Sequence, residues 1–127
     1  MTFADAGCEI MDRLLRATVN TWNGLIDAAR SEAAFRQELV ALAISVPLAL
    51  FVADGAWKRM LLIGAVALVL IVELLNTAIE KLADRVTTAR EDQIRKVKDM
   101  GSAAVGLALL IAGAVWLLAL AERLGLF

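Results

Sequence analysis

Apolar positions near the start of the chain return at three- and four-residue steps. Met11, Leu14, Leu15, Thr18, Trp22, Leu25, Ile26 and Ala29 fall on one side of a helix, and Asp12, Arg13, Arg16, Asn20, Asn23 and Asp27 on the other. The pattern predicts an amphipathic helix over about residues 4–30. A half-buried helix of a water-soluble domain would carry the same stripe, but the sequence that follows is too apolar to supply such a core. The helix is therefore expected to lie along a membrane interface.

Beyond it the periodicity gives way to three apolar runs. A helix needs about 20 residues to cross about 30 Å of hydrocarbon. The first run, 34–53, has only 15 uncharged residues, Leu39 to Ala53, so Phe35, Arg36, Gln37 and Glu38 must form its first turns near the headgroups, where Arg36 can snorkel. Pro47 is expected to kink this helix, Asp54 and Gly55 to end it, and Trp57, Lys58 and Arg59 to mark an interface. The second run has 13 uncharged residues, Met60 to Val72, and reaches spanning length only by continuing to residue 80, which brings Glu73 and Asn76 into the membrane. The third, 100–121, has 22 residues without a charge, and Gly101, Gly106 and Gly113 among many alanines offer small faces for helix packing. The expected fold is an all-α membrane protein: one membrane domain over 1–127, built from an amphipathic surface helix and three transmembrane helices, with 81–99 as a cytoplasmic segment.

Composition agrees. The chain is 61% hydrophobic with a mean hydropathy of +0.74, against roughly 45–50% apolar residues in soluble domains. With 13 basic and 14 acidic residues the net charge is −1, so no broad positive field invites nucleic acid as a partner. Cys8 is the only cysteine and there is no histidine, which leaves carboxylates, lysines or water as general bases. The acidic beginning, with no unbroken apolar core, does not read as a signal peptide.

The distribution of charge sets an orientation. Arg13, Arg16, Arg30 and Arg36 flank the N-terminal side, and Lys81, Arg85, Arg90, Arg95, Lys96 and Lys98 lie between the second and third spans, ten cations in all. Only Lys58, Arg59 and Arg123 lie on the other side. The positive-inside rule places the N-terminus and 81–99 in the cytoplasm and the C-terminus outside.

Glu73, Asn76, Glu80 and Asp84 follow one another at i, i+3, i+7 and i+11, one stripe of one helix running from inside the bilayer to its cytoplasmic edge. Glu73 stands eight residues, about 12 Å along the helix, from Lys81. An intramembrane charge costs about 2.5–3.5 kcal/mol on insertion scales, which makes Glu73 a functional candidate. The spacing alone equally allows interhelical hydrogen-bonding glue, or a proton-carrying glutamate in a small transporter. No G-x-x-x-x-G-K-[ST] or G-x-G-x-x-G loop is present, so no soluble-kinase phosphate cradle is available.

Three ordered blocks narrow the choice: residues 32–38, Glu-Ala-Ala-Phe-Arg-Gln-Glu; residues 71–80, Ile-Val-Glu-Leu-Leu-Asn-Thr-Ala-Ile-Glu; and residues 98–104, Lys-Asp-Met-Gly-Ser-Ala-Ala. Together with Trp22-Asn23-Gly24-Leu25 and Asp84-Arg85 they closely resemble the signature blocks of the prokaryotic diacylglycerol kinase family. The resemblance implies a homotrimeric enzyme of the bacterial inner membrane, with active sites shared between subunits, that uses ATP and Mg2+ to phosphorylate a lipid hydroxyl. It assigns Glu73 as the catalytic base with Asn76 beside it, and Glu32 and Glu80 as the carboxylates that help hold Mg2+. Lys98 and Asp99 become nucleotide contacts, and Arg13 a contact to nucleotide or lipid. Phe35, Arg36, Gln37, Glu38 and Ser102 fall in blocks around the lipid headgroup. Without the resemblance, Asp99 could cap the third helix, Lys98 could be an ordinary cytoplasmic cation, and Phe35 to Glu38 and Ser102 could serve packing or anchoring.

Some positions depart from the family pattern. Asn20 stands where an aromatic is frequent, Asn23 where a lysine is common, and Ala89-Arg90-Glu91-Asp92 lacks the usual nucleotide-loop residues, including a histidine. These departures are expected to alter ATP affinity more than the chemistry. A polyprenol kinase is the nearest rival within the family, although residues 32–38 look more like the diacylglycerol branch.

Overall fold

The computed structural model describes residues 2–127. It is helical throughout: α1 Phe3–Ser31, α2 Ala33–Val52, α3 Ala56–Val86 and α4 Asp92–Arg123, with no strand among the described residues. The chain separates into two compact units, one up to Ala33 and one spanning Ala34–Phe127.

The first unit is essentially α1. Its start is held by Asp5, whose carboxylate accepts the Thr2 backbone N–H at 2.9 Å and the Thr2 hydroxyl at 2.6 Å, meeting part of the hydrogen-bonding demand at a helix N-terminus. The predicted apolar stripe is present and uncovered: Met11, Leu14, Leu15 and Trp22 are all more than half exposed. Thr18 can sit in that stripe because its hydroxyl donates to the Leu14 carbonyl at 2.9 Å and exposes no unmet donor.

In the second unit α2, α3 and α4 are each long and apolar enough to cross a membrane. The predicted first span matches α2 to within one residue, and Pro47 sits inside α2 without ending it. α3 and α4 have 31 and 32 residues, about 46 and 48 Å at 1.5 Å per residue, well beyond the hydrocarbon thickness. The surplus extends through the segment expected to link them, so only residues 87–91 are not helical. No proline or glycine occurs in 81–99 to stop a helix. The break falls at the β-branched pair Thr87-Thr88, where the Thr87 hydroxyl accepts the Ala89 N–H at 3.0 Å in a tight side-chain turn. Because α4 starts after Glu91, Asp99 lies inside the helix, and a capping role for it is ruled out.

α3 and α4 form the main pair. Ala65 and Val69 meet Ala108 and Ala112, with Val72 and Val115 against them. Lipid tails are as apolar as these side chains, so the pair is held by close van der Waals approach rather than by escape from water. The small faces are mostly alanines. Among the described residues nothing beyond the local helix backbone and chain neighbours lies within 4 Å of where a β-carbon would stand on Gly106 or Gly113, and of the three expected packing glycines only Gly101 makes a close approach there.

The end of the pair far from residues 87–91 adds α2. Ala49 and Ala53 enclose Leu62 together with Val115, Trp116 and Ala119, and Trp116 Nε1–H donates to the Leu62 carbonyl at 3.0 Å. Gly55, at φ +95°, takes the left-handed conformation that joins α2 to α3. Arg59 then turns back to the end of α2, donating from Nε to the Ala53 carbonyl at 3.0 Å and from Nη2 to the Leu50 carbonyl at 3.4 Å, which satisfies acceptors a helix end leaves unpaired.

Candidate active site

The polar stripe of α3 survives intact in one helix. Glu73 is half-buried at the deep end. Asn76 is only 8% exposed, and its Nδ2 donates to Glu80 Oε1 at 3.4 Å, one turn further on. Its Oδ1 is buried and accepts no hydrogen bond. The carboxylate thus keeps a neutral donor on one side, in a setting where an unpaired buried charge would be costly.

Of the candidates on α2, one relates to this stripe. Glu38 lies within electrostatic reach of Glu73, and its Oε2 is buried without a hydrogen-bond partner. Phe35 is 1% exposed, while Arg36 and Gln37 are exposed, as is Ser102 on α4. Two candidates, Arg13 and Glu32, belong to the first unit. Arg13 is exposed midway along α1, and Glu32 ends that helix and accepts the Ser31 hydroxyl at 3.0 Å.

Past the membrane edge the α3–α4 hairpin carries the charged residues. Lys98 on α4 crosses to Asp84 on α3 at 2.5 Å. Arg95 spreads its guanidinium between Asp92 and Asp99, 2.8 Å from each, and Lys96 reaches Asp92 at 3.0 Å. These contacts, Arg95 foremost, hold Asp92 below the usual carboxylate range. Asp92 stands two turns before residue 100, outside the expected span. Around the turn lies a cleft of about 550 Å³ lined by Asp84, Thr87, Arg90, Arg95, Lys98 and Asp99 among others, within the size range of small-ligand sites.

Lys98 and Asp99 thus share a cleft with Asp84, whereas Asn76 and Glu80 form a separate pair further down α3. Sequence reading missed Arg90, Arg95 and the threonines of the turn as cleft walls. In the sequence Arg95 signals only orientation, and Arg90 also falls in a segment that departs from the family's nucleotide loop; their place in the cleft wall depends on 81–99 folding back as two helices. Gly101 was read as a packing glycine, and its contact with Asn76 had no sequence signal.

The donor chemistry can be tested against a bound cation. Among the described residues no three His, Cys, Asp or Glu side chains converge, so these residues form no all-protein metal cage. Glu80 supplies hard oxygen, and one or two carboxylates completed by phosphate oxygens and water are what Mg2+ on a nucleotide takes. The residues fit that group.

A family model described as prokaryotic diacylglycerol kinase matches residues 19–120, from the middle of α1 nearly to the end of α4. The chain is 42% identical over 113 residues to the diacylglycerol kinase of Escherichia coli (strain K12), covering 89% of this chain and 93% of that protein. It is 41% identical over 106 residues to the diacylglycerol kinase of Pseudomonas aeruginosa, covering 84% and 86%, and 39% identical over 106 residues to that of Haemophilus influenzae, covering 84% and 90%.

Proposed function

The chain belongs to the prokaryotic diacylglycerol kinase family, and from that premise we propose that it transfers the γ-phosphate of ATP to the primary hydroxyl of 1,2-diacylglycerol, with Mg2+ as cofactor and Glu73 as general base. The observation that carries the reading is the single stripe on α3, with a carboxylate at membrane depth and the Asn76–Glu80 pair one to two turns nearer the charged cleft. A lipid hydroxyl need not leave the bilayer to meet Glu73.

In this mechanism the Glu73 carboxylate accepts the hydroxyl proton as the lipid oxygen bonds to the γ-phosphorus. The bond from that phosphorus to the β–γ bridging oxygen breaks, ADP departs, and phosphatidic acid remains in the membrane. Glu38, whose inner oxygen has no partner, offers an acceptor beside Glu73 for a polar group of the lipid. Glu80, steadied by Asn76, and Glu32 of the first unit would hold Mg2+. When bound, the ion neutralises charge on the β- and γ-phosphates. Lys98 would move from Asp84 to phosphate, lending a cation to the charge in flight, and Asp99 with Arg13 would complete the nucleotide contacts. Phe35, Arg36, Gln37 and Ser102 would border the lipid.

The same premise, together with ten cations on one side and three on the other, supports a bacterial inner-membrane location with the N-terminus and 81–99 in the cytoplasm and the C-terminus outside. It also supports a homotrimer whose neighbouring subunits complete each site, because one chain's carboxylates do not converge in threes among the described residues.

The test is Mg2+-dependent transfer of labelled γ-phosphate from ATP by the detergent-purified protein, with diacylglycerol and undecaprenol offered in parallel. Labelled phosphatidic acid, abolished in Glu73→Gln, is the expected result. Preferential labelling of undecaprenol would replace the substrate and keep the mechanism. No labelled lipid from correctly assembled protein would refute the kinase reading and direct attention to proton transport through Glu73.

A further inference from the structure

The two ends of the Asn76 amide have different surroundings. The NH2 end meets Glu80. The oxygen end fills the space against α4 that a β-carbon on Gly101 would occupy, with the Asn76 Cγ 3.3 Å from that position. At the other seven glycines nothing among the described residues, the local helix backbone and chain neighbours aside, lies within 4 Å of where a β-carbon would stand, so among them Gly101 is the one glycine whose bare backbone makes room for another side chain. Gly101 and Asn76 are both buried.

We infer that Gly101 is a positioning residue for phosphoryl transfer: its bare backbone leaves the niche that admits one end of the Asn76 amide, so that the other end reaches Glu80, whose carboxylate selects the NH2 group over the oxygen. The inference rests on the proposed role of Glu80 at the metal. An amide can turn half a revolution about its last bond and exchange donor for acceptor. With the oxygen toward Glu80 two acceptors would oppose each other and push the carboxylate aside. With the NH2 toward it, one carboxylate oxygen is steadied and the other left for a ligand. Residues that orient a metal's ligands govern affinity nearly as much as the ligands do. A methyl group at Gly101 fills the niche, so either the Asn76 side chain swings out of it and away from Glu80 or α3 and α4 separate locally. Alanine is the better helix former, so any loss in Gly101→Ala arises against the propensity change.

The experiment uses the full chain in detergent as wild type, Gly101→Ala, Asn76→Ala, the double variant and Asn76→Asp, which keeps the side-chain shape and removes the N–H donor. Read for each are kcat, the Mg2+ concentration giving half the maximal rate, and the thermal midpoint. Gly101→Ala is expected to lower kcat or raise the Mg2+ requirement about 10-fold or more, and Asn76→Asp to raise the same requirement with Gly101 intact. In the Asn76→Ala background, adding Gly101→Ala is expected to cost about twofold at most, because coupled sites are not additive. Wild-type kinetics in Gly101→Ala overturn the inference, as do equal fold-losses in both backgrounds. A lowered thermal midpoint with both kcat and the Mg2+ requirement unchanged reduces Gly101 to packing and also overturns it. Should Gly101→Ala fail to fold, Asn76→Asp decides: an unchanged Mg2+ requirement there refutes the orientation argument. A wild type without Mg2+-dependent lipid phosphorylation refutes the kinase proposal and this inference with it, an outcome separate from a working wild type matched by Gly101→Ala.

Discussion

The two ends of the α3–α4 pair are built differently from the same kind of helix. At the end far from residues 87–91 Leu62 is 1% exposed among alanines, Trp116 has its acceptor, and Arg59 closes the end of α2. At the other end Asn76 and Glu38 each bury an oxygen that accepts nothing, carboxylates stand near one another, and the helices run on into a charged cleft. A buried polar group without a partner costs stability, so the two ends differ in what they are organised to do. The end far from residues 87–91 meets its own demands and clamps the helices. The end nearer them leaves acceptors unmet, and of these Glu38 Oε2 is the one the proposed function gives to the lipid.

That contrast predicts which substitutions change rate and which change stability. The largest effect is expected from Glu73→Gln, which should lower kcat at least about 100-fold, the low end for a general base, with the thermal midpoint little changed. A large loss of stability with unimpaired turnover per folded molecule would show the carboxylate to be structural. Leu62→Ala should do the converse. It should cost about 2 kcal/mol, the low end for buried leucine because lipid rather than water is the alternative surrounding, and leave turnover per folded molecule intact, read by denaturant titration in mixed micelles alongside the kinase assay.

A finer comparison uses two lysines, each paired with a carboxylate on another helix: Lys98 with Asp84 and Lys58 with Glu122 at 2.6 Å. Both pairs are well exposed, where such bridges contribute about 0–1 kcal/mol. Lys98→Met should nevertheless raise the KM for ATP about 10-fold, as expected for one charge-assisted contact, while Lys58→Met leaves it unchanged. Equal behaviour of the two would place the nucleotide elsewhere.

The smallest effect concerns pH. Arg95 and Lys96 hold Asp92 below the usual carboxylate range, so the folded chain favours the ionised form. The sign follows: this contribution is present above the unfolded carboxylate's pKa and is lost as pH falls through the lower folded value. Amide exchange at the first turn of α4 should quicken only below the ordinary carboxylate range, and Asp92→Asn should remove that dependence.

Much of the molecule was legible without coordinates. Thr18 and Trp22 marked the amphipathic face, and the shortage of uncharged residues in 60–72 forced the second helix through Glu73 and Asn76, where α3 carries them. These features depend on local periodicity and on a length set by the bilayer. The segment 81–99 was less legible. It carries no helix stop other than two threonines, and polar helix cannot be told from polar loop by hydropathy. Three signature blocks carried the family, since each preserves particular residue types in a fixed order.

What the sequence determined alone, then, is the count of spans, the stripe of carboxylates on one helix and the side of the membrane toward which charge is weighted, because each follows from residues neighbouring along the chain or from the bilayer's fixed thickness. Tertiary structure alone decided that Gly101 lies against Asn76, that Lys98 reaches Asp84, and that Arg90 and Arg95 wall a cleft with Asp99. Those contacts join residues on different helices or across a turn, and their distances depend on how α3 and α4 approach each other and where the chain reverses, which no periodicity along one helix encodes.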